Sequence, residues 1–395
     1  MSKRGIIMKK KSENLENNIK GKEISEAIEK YTKKASNVFI IGHKRPDYDS
    51  IGSAAGLLSM VEQLGKKAYI IVGDDIEDID GDIKKIMFDL GSRLNVISLE
   101  RYKELKNDDS LLIMTDVNKR QRIFLKDDLD DFKNIIIVDH HDIKEGETVE
   151  DTIELIYPSA SSACELVAQT MLYKENKDSK SKYKIPKDIA TLLYSGIELD
   201  TERFKSKTTN ITHAVADKLL EYGADKDYIN RLFRNDRATY NTIANLIVNG
   251  TILRQYSKDF TELGISFNLN REFPSTIYKP EELAKAADLQ VEFKDTDAAF
   301  AMGYIKTGLV GISARSSSDY INVGKIMEGM QGGGNATSAG TQIFSDDIEC
   351  IEDKLIHVVE DFLSLQETPV INLEPDLTEQ PQKFKKIVKK RRKKD

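Results

Sequence analysis

The sequence predicts an α/β protein in which a parallel-sheet domain with helices on both faces is joined by a connector helix to a smaller α/β domain. Three observations carry this. Four short apolar runs, Val38–Ile41, Ala68–Val72, Leu111–Thr115 and Ile135–Val138, lack the alternation of a half-exposed strand. Strands of a parallel sheet read that way because both faces are covered. Helical patterns lie between and after these runs, as expected for parallel strands linked by crossovers. Beyond about residue 250 the pattern resets into a second group of strands and helices.

In chain order, residues 1–24 are rich in lysine and asparagine and read as a flexible segment, and helical spacing begins at Ile24–Tyr31. A helix fits Ser50–Leu64, with Gly52, Ser53, Ala54, Ala55 and Gly56 near its start. Further helices fit Ser161–Leu172, Pro186–Ile197, Thr209–Tyr222 and Tyr228–Arg234, which brings the first domain to residues 25–236. Residues 237–255 read as the connector, with its helix over Arg237–Asn249. The second domain, 256–366, shows strand patterns at Phe260–Phe267, Ala298–Ile305 and Leu309–Ser313, helices near 280–288 and 322–330, and a closing helix near 347–365. Residues 367–395 read as a disordered tail, basic at its end.

Composition narrows the function classes. Of 395 residues, 39% are hydrophobic and 32% charged, and no apolar run reaches the roughly 18 residues that span a bilayer. The lysine-rich N-terminus lacks the apolar core of a secretory signal. A net charge of −7, from 59 basic and 66 acidic residues, argues against a double-stranded DNA binder. The two cysteines, Cys164 and Cys350, form no CxxC and no disulfide framework. These features predict a cytoplasmic protein. Only five histidines occur, and three of them, His43, His140 and His141, sit in motifs at predicted strand ends.

The first motif, Gly42-His43-Lys44-Arg45-Pro46-Asp47-Tyr48-Asp49-Ser50, lies where the first strand ends and a helix begins. Ligands of open α/β sheets bind at the carboxyl ends of strands. There Asp47, Asp49 and His43 offer a nitrogen–oxygen ligand set, the lesser alternative being acids that serve the positive end of the helix that Ser50 would cap. Asp116 ends the third run, and Asp139-His140-His141 follows the fourth. Asp200 ends a predicted helix, where a carboxylate is unfavourable unless something positive offsets it. Four aspartates, Asp47, Asp49, Asp116 and Asp200, carry −4, which two divalent cations balance. Mixed imidazole and carboxylate ligands suit Mn, Fe or Co better than Mg. In the second domain, Ser313-Ala314-Arg315 and the run Gly332-Gly333-Gly334-Asn335 could approach a phosphate, the first through a bidentate guanidinium and the second through backbone amides.

Taken together, His-x3-Asp-x-Asp, a strand-end Asp, Asp-His-His and a later Asp resemble the four metal motifs of the DHH phosphoesterase superfamily over roughly residues 36–205. Ser313-Ala314-Arg315 and the glycine loop resemble its DHH-associated C-terminal domain, with Asn335 standing where that family has a histidine. The bulky Tyr48 between the aspartates and the stretch Gly196–Phe204 resemble the cyclic-di-AMP phosphodiesterase branch. Members of that branch usually carry membrane and sensor domains ahead of this module, so the chain reads as an excised part or as a short soluble member.

The resemblance implies that His43, Asp47 and Asp116 hold one Mn2+ ion. Asp49, Asp116, His140 and Asp200 would hold a second, with Asp116 bridging. It implies that Asp116 and His141 are catalytic, His141 orienting His140 or touching a phosphate oxygen. Ser313, Arg315, Gly332, Gly333, Gly334 and Asn335 would contact substrate across a cleft that closes about the connector. The implied reaction is hydrolysis of cyclic di-AMP to pApA by a two-metal hydroxide mechanism, in a homodimer. Three alternatives stay open: an oligoribonuclease or phosphatase acting on short linear nucleotides, a nucleotide-binding sensor with weak catalysis, and a pyrophosphatase.

Overall fold

A computed structural model describes residues 18–73, 81–143, 149, 152–177, 184–234, 237–256, 262–270, 276–317 and 320–365. They divide into two units, with the boundary between Arg234 and Asn235.

The first unit runs α1 (Ile19–Lys34), β1 (Val38–Ile41), α2 (Tyr48–Gln63), β2 (Ala68–Ile71), α3 (Gly81–Leu94), β3 (Val96–Ile97), α4 (Leu99–Leu105), β4 (Leu111–Thr115), β5 (Ile135–Asp139), β6 (Ile153–Ile156), α5 (Ala163–Lys177), α6 (Lys187–Asp200), α7 (Asn210–Glu221) and α8 (Lys226–Leu232). Its six strands are all parallel, in the order β3-β2-β1-β4-β5-β6. The direction of winding reverses between β1 and β4, and in doubly wound sheets a crevice opens at the carboxyl ends of such a pair.

Alternate side chains explain why the strands show no alternation in sequence. Val38, Ile40, Ile113, Ile136 and Val138 pack into one core with apolar residues of α1, α2, α5 and α6. Phe39, Ile41, Leu112, Met114 and Ile137 pack into another. That second face is covered more thinly, by α4 and the irregular chain from Val117 to Phe132, which includes 3-10 turns at Arg120–Arg122 and Leu129–Asp131. Tyr102 of α4 meets Phe39 edge-on, with ring centroids 5.0 Å apart.

The helices α2 and α6 approach closely through two glycines. A Cβ on Gly52 would lie 2.5 Å from the Leu192 carbonyl oxygen, and one on Gly196 would lie 2.4 Å from Cys164 Sγ. This closeness brings the last turn of α6 beside the first turn of α2. At the N-terminal side, α1 begins at Ile19 rather than Ile24, because Asn18 caps it by accepting the N–H of Gly21 at 2.8 Å. The rest of the expected flexible segment, residues 1–17, lies outside the described residues, as does the expected tail.

The second unit runs α9 (Arg237–Val248), β7 (Thr251–Tyr256), β8 (Glu262–Asn268), α10 (Pro280–Gln290), β9 (Ala298–Lys306), β10 (Leu309–Ser316), α11 (Val323–Gly329), β11 (Gly333–Gly334), β12 (Ser338–Phe344) and α12 (Ile348–Leu365). Its sheet, β11-β12-β10-β9-β8-β7, is antiparallel except for the parallel pair β8–β9. Phe300, Met302 and Ile312 face Ile326 and Met327 of α11 and Leu355 and Val359 of α12. On the other face, α10 lies over Ala299 and Ala301, and α9 joins it through Ile243 and Leu246. The helix expected as a connector therefore carries a buried apolar pair and belongs to the core of this unit. Among the described residues no helix is long and apolar enough to cross a membrane.

Candidate metal centre

Strand β1 ends at Ile41, and the chain turns through His43 into α2. The Lys44 N–H donates to the Arg122 carbonyl at 2.8 Å, which ties this turn to the segment after β4. Asp47 is the N-cap of α2: its Oδ1 accepts the N–H groups of Asp49 and Ser50, both at 3.0 Å. The capping role weighed for Ser50 thus falls to Asp47, and only one of its oxygens is used. The other, Oδ2, lies 3.7 Å from His43 Nε2.

Asp49 is fully buried, and its two oxygens accept the N–H groups of Ala163 and Cys164 at 2.8 Å each, at the start of α5. Asp116 follows β4 with φ of 57°. Few non-glycine residues adopt that left-handed conformation, and aspartate is among those that tolerate it. Its N–H donates to the Val138 carbonyl at 3.1 Å, which pins the turn to β5. Asp139 closes β5, and His140 and His141 follow it. Asp200 is the last residue of α6, with no basic residue in that last turn.

These elements converge. His43 Nε2 stands 3.3 Å from Asp116 Oδ2. His140 Nε2 stands 3.1 Å from Asp200 Oδ2, 3.5 Å from Asp116 Oδ1 and 3.7 Å from Asp49 Oδ2. Asp116 thereby presents one oxygen to a group with His43 and Asp47, and the other to a group with His140, Asp49 and Asp200. His43, Asp47 and Asp116 offer ligand atoms within one ion's reach, and so do Asp49, His140 and Asp200.

The charge balance is severe. Burial opposes the cationic form of both imidazoles, but the carboxylates around them win: Asp116 and Asp47 hold His43 up to about 10, and Asp116 and Asp200, with the Asp49 charge, hold His140 up to about 11. Burial followed by the charges of Asp116 and Asp200 raises Asp49 well above the usual carboxylate range. Burial also raises Asp200. Asp116 moves the other way, to about 2, because its two histidine partners outweigh its burial.

The donor chemistry fits divalent cations. His140 Nε2 is buried among three carboxylate oxygens, yet none is aligned to receive an N–H hydrogen bond from it. A ring nitrogen aimed between carboxylates is the arrangement that a cation with mixed nitrogen and oxygen ligands requires. A cation held here would also supply the positive charge that Asp200, at the negative end of α6, does not find in any basic residue of that turn.

Residues 37–197 match the DHH family, N-terminal domain. This unit of the chain belongs to the DHH family. Over 351 residues the chain is 31% identical to the cyclic-di-AMP phosphodiesterase GdpP of Bacillus subtilis, covering 87% of this chain and 50% of that protein. Over 195 residues it is 32% identical to a probable manganese-dependent inorganic pyrophosphatase of Bacillus licheniformis, covering 49% of this chain and 57% of that protein. The chain spans about half the length of the curated relatives it matches. In fold it is similar to an exopolyphosphatase-related protein from Bacteroides fragilis, with a TM-score of 0.70 at 21% identity over 87% of this chain and 97% of that one.

Within the DHH domain one residue was missing from the expected site. Asp139 is fully buried, and its Oδ1 accepts the backbone N–H of His140 at 2.8 Å and of His141 at 3.3 Å, and meets His141 Nδ1 at 2.9 Å. It holds the half-exposed His141 ring, whose centroid lies 4.4 Å from that of His140. The signal was available, since Asp139 opens the Asp-His-His run at a strand tip. His141 Nδ1 also lies 3.6 Å from Asp116 Oδ1.

The residues expected to hold substrate lie in the second unit. Ser313 and Arg315 share one face of β10, where Arg315 Nη1 donates to Ser313 Oγ at 3.3 Å and to the Ala314 carbonyl at 3.0 Å. Arg315 Nε pairs with Asp288 of α10, a partner that no local sequence signal announced. Gly332 and Gly334 are glycines because β12 crowds them: a Cβ would meet the Gly340 oxygen or the Ser338 oxygen at 2.4 Å in each case. Only Gly333 faces open space. The Asn335 side-chain oxygen accepts the N–H groups of Thr337 at 3.0 Å and Ser338 at 2.7 Å, which closes the turn between β11 and β12. Ser338 pairs with Arg315 across the β10–β12 ladder, and Ala339 with Gly334, so Arg315 and the glycine loop lie at the same end of neighbouring strands.

Proposed function

We propose that the chain is a metal-dependent phosphodiesterase that hydrolyses cyclic di-AMP to pApA, using two divalent cations, most simply Mn2+. The observation that carries this reading is Asp116, whose two carboxylate oxygens stand between His43 on one side and His140 on the other. The similarity to a named cyclic-di-AMP phosphodiesterase supports the substrate, and the similarity to a probable manganese-dependent pyrophosphatase supports the metal.

In this reading His43, Asp47 and Asp116 would hold one cation, and Asp49, Asp116, His140 and Asp200 would hold the other. Bound cations of this kind lower the pKa of water and stabilise charge on a phosphoryl group. The protein's own residues prepare the place. The Ala163 and Cys164 N–H groups fix Asp49. The α2 backbone fixes Asp47. The Asp139 carboxylate takes the Nδ1 proton of His141 in a hydrogen bond, leaving Nε2 as the atom that can take or give a proton at the substrate. Ser313, Arg315, the Gly332–Gly334 run and Asn335 would anchor the nucleotide.

Purified protein incubated with Mn2+ and, separately, cyclic di-AMP, pApA, cyclic di-GMP and pyrophosphate tests the reading. Preferential conversion of cyclic di-AMP to pApA supports it. Faster cleavage of pApA turns the assignment to a nuclease of short linear nucleotides, turnover of pyrophosphate turns it to a pyrophosphatase, and binding without turnover turns it to a sensor.

A further inference from the structure

Immediately after the Asp200 helix the backbone does something costly. Glu202, Arg203 and Phe204 have φ values of 50°, 60° and 64°, three successive non-glycine residues in the left-handed region. Such conformations are strained for residues with a Cβ, and they persist only where surrounding structure dictates them. Here it does. Thr201 Oγ1 accepts the Phe204 N–H at 3.0 Å, and the Arg203 N–H reaches the Glu198 carbonyl at 2.7 Å. The Phe204 ring lies between Tyr194 (5.7 Å) and His213 (5.6 Å). The turn is thus held at both ends, and Glu202 and Arg203 are exposed at its crest, Arg203 being the cationic one.

The Arg203 side chain is ordered by an aromatic platform. Its guanidinium carbon lies 5.6 Å from the Phe233 ring centroid, and Nη2 donates to the Phe233 carbonyl at 3.4 Å. Phe233 in turn contacts the ring of Tyr48, with centroids 4.9 Å apart. Tyr48 is the residue between Asp47 and Asp49, so two aromatic rings, Phe233 and Tyr48, link the guanidinium to the start of α2, which carries two of the proposed metal ligands. Stacking on the ring leaves most of the fork of N–H donors open to a ligand, and a stacked guanidinium pairs well with phosphate oxygens.

We propose that Arg203 binds the second, unreacted phosphate of the substrate at the rim of the metal centre. This rests on the phosphodiesterase reading. A cyclic dinucleotide brings two phosphates, of which the cations engage the one that is cleaved. The other keeps its negative charge and needs a cationic partner outside the metal set. Arg203 supplies that partner already oriented, which explains why an arginine occupies a position where asparagine or glycine would relax the backbone.

The test uses the full chain loaded with Mn2+, with Arg203→Asn and Arg203→Lys compared with the unmodified protein on two substrates. Cyclic di-AMP has two phosphates, whereas bis(p-nitrophenyl) phosphate has one. Arg203→Asn should raise KM for cyclic di-AMP by about tenfold, with kcat changed less than about twofold. It should affect the single-phosphate substrate far less, and Tm should stay level or rise because asparagine accepts the left-handed conformation. Arg203→Lys should recover part of the affinity. An equal loss on both substrates, a lowered Tm with no selective change in KM, or no change at all overturns the role. If the unmodified protein is inert on both substrates, the phosphodiesterase reading itself falls and this role with it.

Discussion

Asp116 Oδ1 lies 3.5 Å from His140 Nε2, while its other oxygen lies 3.3 Å from His43 Nε2. One carboxylate thus joins two groups that arrive on different strands. Asp116→Ala should reduce Mn2+ bound per chain from two to one or none and lower turnover of cyclic di-AMP by more than about a hundredfold. Metal content after gel filtration, read beside activity, checks this. Two ions retained in the variant would refute the bridging assignment.

Asp139→Asn separates the support of His141 from metal binding. The amide oxygen can still accept the backbone N–H groups of His140 and His141, so the turn should survive. The carboxylate that meets His141 Nδ1 and orients its ring is replaced by a neutral amide. The expected result is kcat reduced about 10- to 100-fold with the Mn2+ stoichiometry kept. An unchanged kcat would leave His141 without a part in proton handling.

Gly196→Ala tests the close approach of α2 and α6. The new methyl would sit 2.4 Å from Cys164 Sγ and 2.8 Å from Asp49 Cα. Overpacking of this kind costs about 1–3 kcal/mol. Thermal unfolding should shift down by several degrees, and Mn2+ affinity should fall with it because Asp49 is displaced. A variant with the original Tm would show that the helices have room.

Glu29 on α1 gives a pH signature away from the site. Its hydrogen bonds to Lys174 and Lys33, both 2.7 Å, outweigh burial and hold its carboxyl at about 2 against an ordinary 4.5. The folded value is the lower one. The stabilisation is therefore complete above pH 4.5 and is lost as pH falls through about 2. Because Lys33 is largely exposed, Glu29→Gln should cost only about 0.5–1 kcal/mol at neutral pH. In urea titrations that difference should shrink steadily below pH 4.5. A cost that does not change with pH would mean the pair acts through packing alone.

Asn335→His should raise turnover. Imidazole Nδ1 can accept a hydrogen bond in the exposed turn that Asn335 now closes, and unlike the amide it can carry a proton beside a phosphate. Initial rates in saturating cyclic di-AMP measure this, and an unchanged rate would make the substitution neutral.

The candidate metal centre was legible because ligands must be particular residue types, and because a parallel sheet places candidate binding residues at strand ends. His43, Asp47, Asp49, Asp116, His140 and Asp200 could be picked out on those grounds and do lie together. The strands β1 and β4 were readable to the residue, since their uniform apolar runs reflect burial on both faces. Other parts gave no such signal. The four residues of β6 are partly or fully exposed, and β12 is a small and polar stretch, Ser-Ala-Gly-Thr-Gln-Ile-Phe, that pairs through its backbone. The cover over the second face, from Val117 to Phe132, has no helical period, because its apolar side chains reach the sheet from irregular chain. The pairing of Arg315 with Asp288 links an α-helix to a strand, a relationship that only folding creates.

Strand β11 is only two residues long, both glycine, and it forms one margin of the second sheet before the Asn335 turn reverses the chain. A margin so short offers a neighbouring molecule almost no ladder of N–H and carbonyl groups to extend. The glycines that would face a nucleotide therefore also blunt this border against strand-to-strand association. Lengthening β11 with β-branched residues should convert this short border into an aggregation-prone one.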